Sequence, residues 1–311
     1  MLKEWFKGVI KLFAFFFLLL ALWLVYQEIE KIGMTQIWAS MRSTPFWVLG
    51  VAFTFVLLDY AAYSGYDLLA LRYIGKKVPL PAVIETAMVS FSITNTTGHA
   101  YIAGGSIRYL LYAKHGLNEI DVLKMIAFES LTFLLGMACI FDLSLILTSV
   151  FHLTRLPSEA YLFDIGAVVV SVLFILYWFF VVKPNRRLTF NNTIISAPTT
   201  RMTLRQILIG SMDMIATSLV FYTLLRYHLD VHFFHVVSIF LLAQLIGIST
   251  QVPGGLGVFE GMFLYLFVHT PPEKAPILAA LITFRIMYYF IPLGLGGIFF
   301  LTTAVWNKLK R

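Results

Sequence analysis

Seven side chains with usable chemistry stand in stretches otherwise apolar enough for lipid: Asp59, Arg108, Glu129, Asp213, Glu260, Arg285 and Tyr288. A charge at membrane depth is costly unless it is paired or functional, so these residue types indicate what the chain could do. Arg108 follows the glycine-containing GHAYIAGGS and lies near the start of a helix expected over Ile107–His115. Free N–H groups at a helix start, together with a guanidinium, form a phosphate site. The alternative is an arginine that snorkels to the interface and meets lipid headgroups there. Glu260 can meet a cationic aminoacyl headgroup or form a buried ion pair with Arg285. Arg285 precedes Tyr288 by three residues and Tyr289 by four. On a helix that spacing presents a cation and phenol donors on one face, suited to phosphate or glycerol oxygens; plain packing of Tyr288 is the competing expectation. Asp59 and Asp213 are candidates for proton coupling or for holding a cationic group, unless each is protonated and satisfied by Tyr60, Tyr63 or Thr217. Glu129 faces the same choice, with Arg108 as its partner.

These residues need elements that hold them in place. The most informative segment is STQVPGGLGVFEG, Ser249–Gly261, which interrupts a helix inside an apolar stretch. No Asp, Glu, Lys or Arg occurs from Val231 to Phe259. Pro253 removes a backbone donor, and Gly254, Gly255 and Gly257 make helix continuation poor. Broken backbone at that depth survives only when buried in protein or lining a polar cavity. Gly98, Gly104 and Gly105 are expected to mark a corresponding break earlier in the chain. Ser249 and Thr250 are read as capping the broken helix rather than as nucleophiles.

Composition sets the class. Of 311 residues, 59% are hydrophobic and 13% charged, with 29 Phe and a mean hydropathy of +0.85. That describes a polytopic membrane protein in which the whole of 1–311 forms one transmembrane domain. One cysteine, Cys139, excludes an intrachain disulfide and a cysteine metal site. The formal charge of +7 fits cytoplasmic loops beside anionic lipid rather than nucleic acid. Lys3, Lys7 and Lys11 precede an apolar run without a small-residue cleavage site, which reads as an uncleaved first span.

Spans are expected near Gly8–Tyr26, Phe46–Leu71, Leu123–Val150, Phe163–Val182, Leu204–Leu225 and Ala275–Val305. Two regions, Pro81–His115 and Phe234–Val268, read as broken or re-entrant hairpins. If each hairpin enters and leaves by one side, 17 of the 23 Lys and Arg fall on the cytoplasmic side, including Lys183, Arg186, Arg187, Arg201 and Arg205. Only Lys31, Arg42, Arg155, Arg226 and Lys274 lie opposite. The positive-inside bias selects this topology, with both termini cytoplasmic. The layout then repeats, so residues 1–150 and 163–305 form two halves, the second inverted. Asp59 and Asp213, the two glycine pairs, and Arg108 and Glu260 recur at an offset of about 150 residues. Arg108/Glu260 and Glu129/Arg285 exchange charge sign between halves. Inverted repeats with broken helices are a transporter plan.

The segments PGGLGVFEG, FRIMYYFIPL (Phe284–Leu293) and NTTGHAYIAGGSIRYLLYAKHGL (Asn95–Leu117), in that arrangement, resemble the transmembrane region of the lysylphosphatidylglycerol synthases, the multiple peptide resistance factor family. The likeness covers nearly the whole chain. It implies a lipid translocase carrying lysyl-phosphatidylglycerol to the outer leaflet. The full-length enzymes of that family add a soluble aminoacyl-transferase domain; this sequence ends at Arg311 without one, so aminoacylation of lipid is not expected of it.

His228, His232 and His235 have helix-like spacing but lie in a short connector without carboxylates, so no metal site is expected. No G-x-S-x-G, H-E-x-x-H or Walker motif occurs, and no cofactor is implied. The expectation is an all-α phospholipid flippase of a bacterial cytoplasmic membrane, with membrane phospholipids as partners. A membrane enzyme acting on a lipid-linked substrate, and a scaffold for a lipid-modifying enzyme, are the alternatives. Gly257–Gly261 spacing permits close helix packing, within the chain or in a homo-oligomer.

Overall fold

The computed structural model describes residues 30, 34–97, 103–151, 160–181, 187–190, 193–250, 252–267 and 274–309. The expected first span, Gly8–Tyr26, and Gly98 lie outside them. In order, the elements are α1 (Met34–Ser43), α2 (Phe46–Tyr73), α3 (Leu80–Thr97), α4 (Ala103–Tyr112, continued as a 3-10 turn to His115), α5 (Glu119–Val150) and α6 (Ala160–Val181). A short antiparallel hairpin, β1 (Arg187–Phe190) and β2 (Thr193–Ser196), follows in the polar loop. Then come α7 (Thr200–His228), α8 (Phe233–Ser249), α9 (Val258–Phe267), α10 (Lys274–Arg285), a π turn (Ile286–Phe290) and α11 (Ile291–Leu309). The protein is an all-α membrane protein with that hairpin as its one extended excursion among the described residues.

Among the described residues four helices are long and apolar enough to cross a membrane by length and composition: Phe46–Tyr73, Glu119–Thr148, Thr200–His228 and Lys274–Phe300. At 28 residues, α2 is about 42 Å long, more than a hydrocarbon core of about 30 Å. By contrast α4 and α9, at 10 residues each, reach only about 15 Å. Their ends are dictated locally. Gly75 (φ 72°) and Gly116 (φ 78°) take the left-handed conformation that closes α2 and the turn after α4. Asn118 and Asp121 bond each other's backbone N–H at 2.9 and 3.1 Å, a capping box that starts α5. Thr199 caps α7 by accepting from Met202 N–H.

Two crossings position everything else. Helices α2 and α7 run antiparallel: Trp47 meets Tyr227 at one end, and Gly65 lies against Ile209 towards the other. Asp59 and Asp213 fall between these contacts. Helices α5 and α7 touch backbone to backbone where Gly136 faces Gly210; a Cβ on either would meet main-chain atoms of the other helix. Main chain cannot swing aside as a side chain can. Gly210→Ala is therefore expected to lower stability by about 1–3 kcal/mol or more, read as a reduced unfolding temperature of the purified protein. Gly50→Ala, which meets nothing within 4 Å, should leave it unchanged.

The interior is aromatic. Phe221 contacts Phe240, Phe259, Phe263 and Phe284 in tilted and edge-on arrangements, the geometry favoured by ring quadrupoles. Gly104 and Gly105 were expected to break a helix, yet both lie within the first turn of α4. Their role is close approach: a Cβ at Gly104 would strike Thr94 Oγ1, and one at Gly105 would lie 2.8 Å from Ile126 Cδ1.

Candidate functional site

The chain break at 252–257 is built by Gly254, Gly255 and Gly257, with φ of 59°, 60° and 76°, values that side chains rarely tolerate. Glu260 then stands at the third position of α9 and accepts from Gly257 N–H at 2.7 Å through Oε2, the carboxylate half of a capping box. Its other oxygen, Oε1, accepts from Arg285 Nε at 2.6 Å. Arg285 Nη1 donates to the Gly254 carbonyl at 2.5 Å, which satisfies backbone freed by the break. The guanidinium also lies over Tyr289 and Phe259, 4.7 and 5.6 Å from the ring centres. Glu260 and Arg285 are only 8% and 7% exposed. Arg285 Nη2 is buried and has no hydrogen-bond partner among the described residues.

A second cluster occupies the other hairpin. Arg108 donates to Asp67 Oδ1 from Nε (3.3 Å) and Nη2 (3.1 Å), and Nη2 lies 2.9 Å from Glu129 Oε2. Tyr112 donates to Asp67 Oδ2 at 2.5 Å. With 2% exposure and both acids against it, Arg108 is neutralised inside the protein. It neither snorkels to the interface nor stands free for phosphate. Its flat face covers Phe91 at 4.5 Å, a cation–π contact.

Between these clusters, at the α2–α7 crossing, sits a third. Tyr288 donates to Asp59 Oδ2 at 2.5 Å and lies 2.7 Å from the Tyr63 hydroxyl. Tyr66 donates to Asp213 Oδ2 at 2.6 Å. Thr217 Oγ1 is 3.1 Å from Tyr288 and 3.4 Å from Asp213 Oδ1, and Asn95 donates its amide to Tyr63 at 3.1 Å. Tyr288 and Thr217 thus bridge the Asp59 and Asp213 carboxyls. Tyr63 stacks flat on Phe91 at 4.0 Å, on the ring that also carries Arg108.

The three clusters thus form one file: Glu129, Arg108, Phe91, Tyr63, Tyr288, Tyr289, Arg285, Glu260. Of the two phenols expected on the face of Arg285, Tyr289 lies under the guanidinium and Tyr288 bonds Asp59. The π turn sends Tyr288 to Asp59 while Tyr289 stays under Arg285. The two hairpins also meet, since Gly254 lies against the Asn95 and Thr96 carbonyls at the end of α3. His228 bonds Thr44 Oγ1 at 2.9 Å, tying α7 to the loop after α1. Ser249 and Thr250 bond carbonyls of their own helix. Among the described residues no group of three or more His, Cys, Asp or Glu could hold a metal ion.

Sequence reasoning missed Asp67, Tyr66, Tyr112 and Asn95. A signal existed: Asp59, Tyr63, Tyr66 and Asp67 follow one another at helical spacing, a polar stripe on an otherwise apolar helix.

Residues 9–296 match the family described as the lysylphosphatidylglycerol synthase transmembrane region. An uncharacterized protein of Synechocystis is 32% identical over 276 residues, 87% of this chain and 84% of that one. The Escherichia coli inner membrane protein YbhN is 27% identical over 302 residues, covering 96% and 92%. A Staphylococcus haemolyticus phosphatidylglycerol lysyltransferase is 23% identical over 277 residues, 86% of this chain but 31% of that protein. The chain belongs to the lysylphosphatidylglycerol synthase transmembrane-region family.

Proposed function

We propose that this family member is a phospholipid translocase of the bacterial cytoplasmic membrane, passing a headgroup between leaflets at the Glu260–Arg285 pair while the acyl chains stay in lipid. The observation that carries this reading is Arg285: a buried guanidinium beside a broken helix, with Nη2 unused. A buried donor left unpaired is costly, and a lipid phosphate is the ligand a guanidinium suits best. Glu260 would take a cationic headgroup group when the pair opens. Arg285, paired with Glu260, stands where Gly254 meets the Asn95 and Thr96 carbonyls, and we read this arrangement as the closed state.

Other features support it. A cavity of about 370 Å³ between α5, α6 and α8, lined by Leu134, Met137, Phe141, Leu173, Leu241 and Leu245 among others, is almost wholly apolar and suits an acyl chain. The order of long helix, two-limbed hairpin and long helix occurs twice, and the matching helices α2 and α7 run antiparallel. We read these as the two inverted halves of an alternating-access transporter. The relatives' names, an inner membrane protein and a phosphatidylglycerol lysyltransferase, direct the choice of membrane and of first substrates.

The test is movement of headgroup-labelled lipid in liposomes containing this protein alone, with phosphatidylglycerol, its lysyl form and a zwitterionic lipid compared. Selective movement of an anionic or aminoacylated lipid is expected. A folded protein that moves none of them would leave a scaffold or an enzyme as the better reading.

A further inference from the structure

We infer that Asp59 and Asp213 jointly hold one proton at the α2–α7 crossing, and that this proton couples lipid movement to a pH gradient; the coupling rests on the translocase reading above. The proton follows from counting hydrogens. A hydroxyl supplies one. Tyr288 gives its hydrogen to Asp59 Oδ2, and Tyr66 gives its own to Asp213 Oδ2. Having donated, Tyr288 can only accept from Tyr63, which in turn accepts from Asn95. The single Thr217 hydrogen goes to Tyr288 or to one of the two carboxyls. All four hydroxyl hydrogens are then placed, and Asp59 Oδ1 has received none: it is buried with no hydrogen-bond donor among the described residues. Across Tyr288 and Thr217 stands the Asp213 carboxyl. Two carboxylates this near, on residues 0% and 1% exposed, repel unless a proton is held between them. One shared proton satisfies both.

The remaining groups around the pair do not supply that charge. Arg285 is committed to Glu260 and Gly254, and Arg108 to Asp67 and Glu129. From α2 and the π turn, Tyr60 and Tyr289 add only phenols, and α3 adds the Asn95 amide. A metal cation fits poorly. Tyr288 and Tyr66 spend their hydrogens on the carboxylates and Tyr63 on Tyr288, leaving too few free oxygens for a hard cation, which needs about six or more.

Placement gives the proton its consequence. Asp59 belongs to α2 and Asp213 to α7, so a shared proton fastens two helices that loss of the proton would drive apart. Tyr288, bonded to Asp59, is three residues from Arg285 in a continuous helix. Release of the crossing and opening of the Glu260–Arg285 pair therefore act on one element.

The experiment has two readouts on reconstituted protein. The first is the infrared carbonyl stretch of a protonated carboxylic acid, identified by its shift in D2O. It is expected at neutral pH, lost in Asp59→Asn and in Asp213→Asn, and retained in Glu129→Gln, with folding of each variant checked by thermal unfolding. Its absence, or its loss only in Glu129→Gln, overturns the site. The second is labelled-lipid movement under an imposed pH gradient without membrane potential. One proton per lipid supports about tenfold accumulation per pH unit, abolished by a protonophore and in Asp59→Asn. Indifference to the pH gradient, or dependence on sodium instead, overturns the coupling. The carboxylic-acid band present with no lipid moved under any condition upholds the proton site and overturns the translocase reading.

Discussion

Removing either partner of the Glu260–Arg285 pair is expected to stop lipid movement and to cost about 3–5 kcal/mol of stability. The loss follows from burial: among the described residues each charge has its ionic partner in the other, and the survivor would be left uncompensated in low dielectric. Each change also frees a backbone group at the break: Arg285→Ala the Gly254 carbonyl, and Glu260→Ala the Gly257 N–H. Stability and function separate in the double variant Glu260→Leu/Arg285→Met. Replacing a whole buried pair by apolar side chains is often neutral or stabilising. That variant should regain the stability lost to an unpaired charge, short of the bonds to the Gly254 carbonyl and Gly257 N–H that it also removes, and still move no lipid. Parent-like transport by it would remove the pair from the mechanism.

The second large effect belongs to Arg108. It binds Asp67 from α2 and Glu129 from α5 while sitting on α4, so one guanidinium joins three helices. Arg108→Met leaves two buried carboxyl groups facing each other. Folded protein should fall steeply on size-exclusion chromatography, with a cost again of about 3–5 kcal/mol or more. Adding Asp67→Asn and Glu129→Gln to the same chain should restore much of it. Glu129→Gln alone should be mild, because Arg108 keeps two hydrogen bonds to Asp67. A parent-like yield of Arg108→Met would show that other contacts hold these helices together.

The helices were legible in the sequence because length and hydropathy decide what crosses a membrane; leaving aside Gly8–Tyr26, which lies outside the described residues, the expected spans differ from the observed helices by a few residues at their ends. The break at Pro253–Gly257 was legible too, since consecutive glycines after a proline demand unusual backbone. Gly104 and Gly105 misled for a physical reason: glycine marks both chain reversal and close helix approach, and composition does not separate the two. The pairings of Arg108 with Glu129 and of Glu260 with Arg285 could be anticipated, because a buried charge needs a counter-charge. Their surroundings could not. Whether Tyr66 reaches Asp213, or Asp67 reaches Arg108, depends on how α2 crosses α7 and α4 packs on α2, and such angles leave no trace in hydropathy. Nor did the π turn, whose extra backbone residue aims Tyr288 away from Arg285, announce itself in FRIMYYFIPL.

The exchange of charge sign between the hairpins has a consequence for direction. A transporter with two equal halves rests equally in its inward-facing and outward-facing states. Here one short helix carries the cation and its long neighbour the acid, while the other short helix carries the acid and its long neighbour the cation. The first arrangement includes Asp67 as a second acid; the other has one acid and one base. Swapping the roles of the halves therefore does not return the same molecule. Membrane voltage acts on charge at about 2.3 kcal/mol per elementary charge per 100 mV, so even a fraction of a charge displaced unequally would bias the resting populations. In a protein working as proposed, rectification would be built into which hairpin holds the arginine.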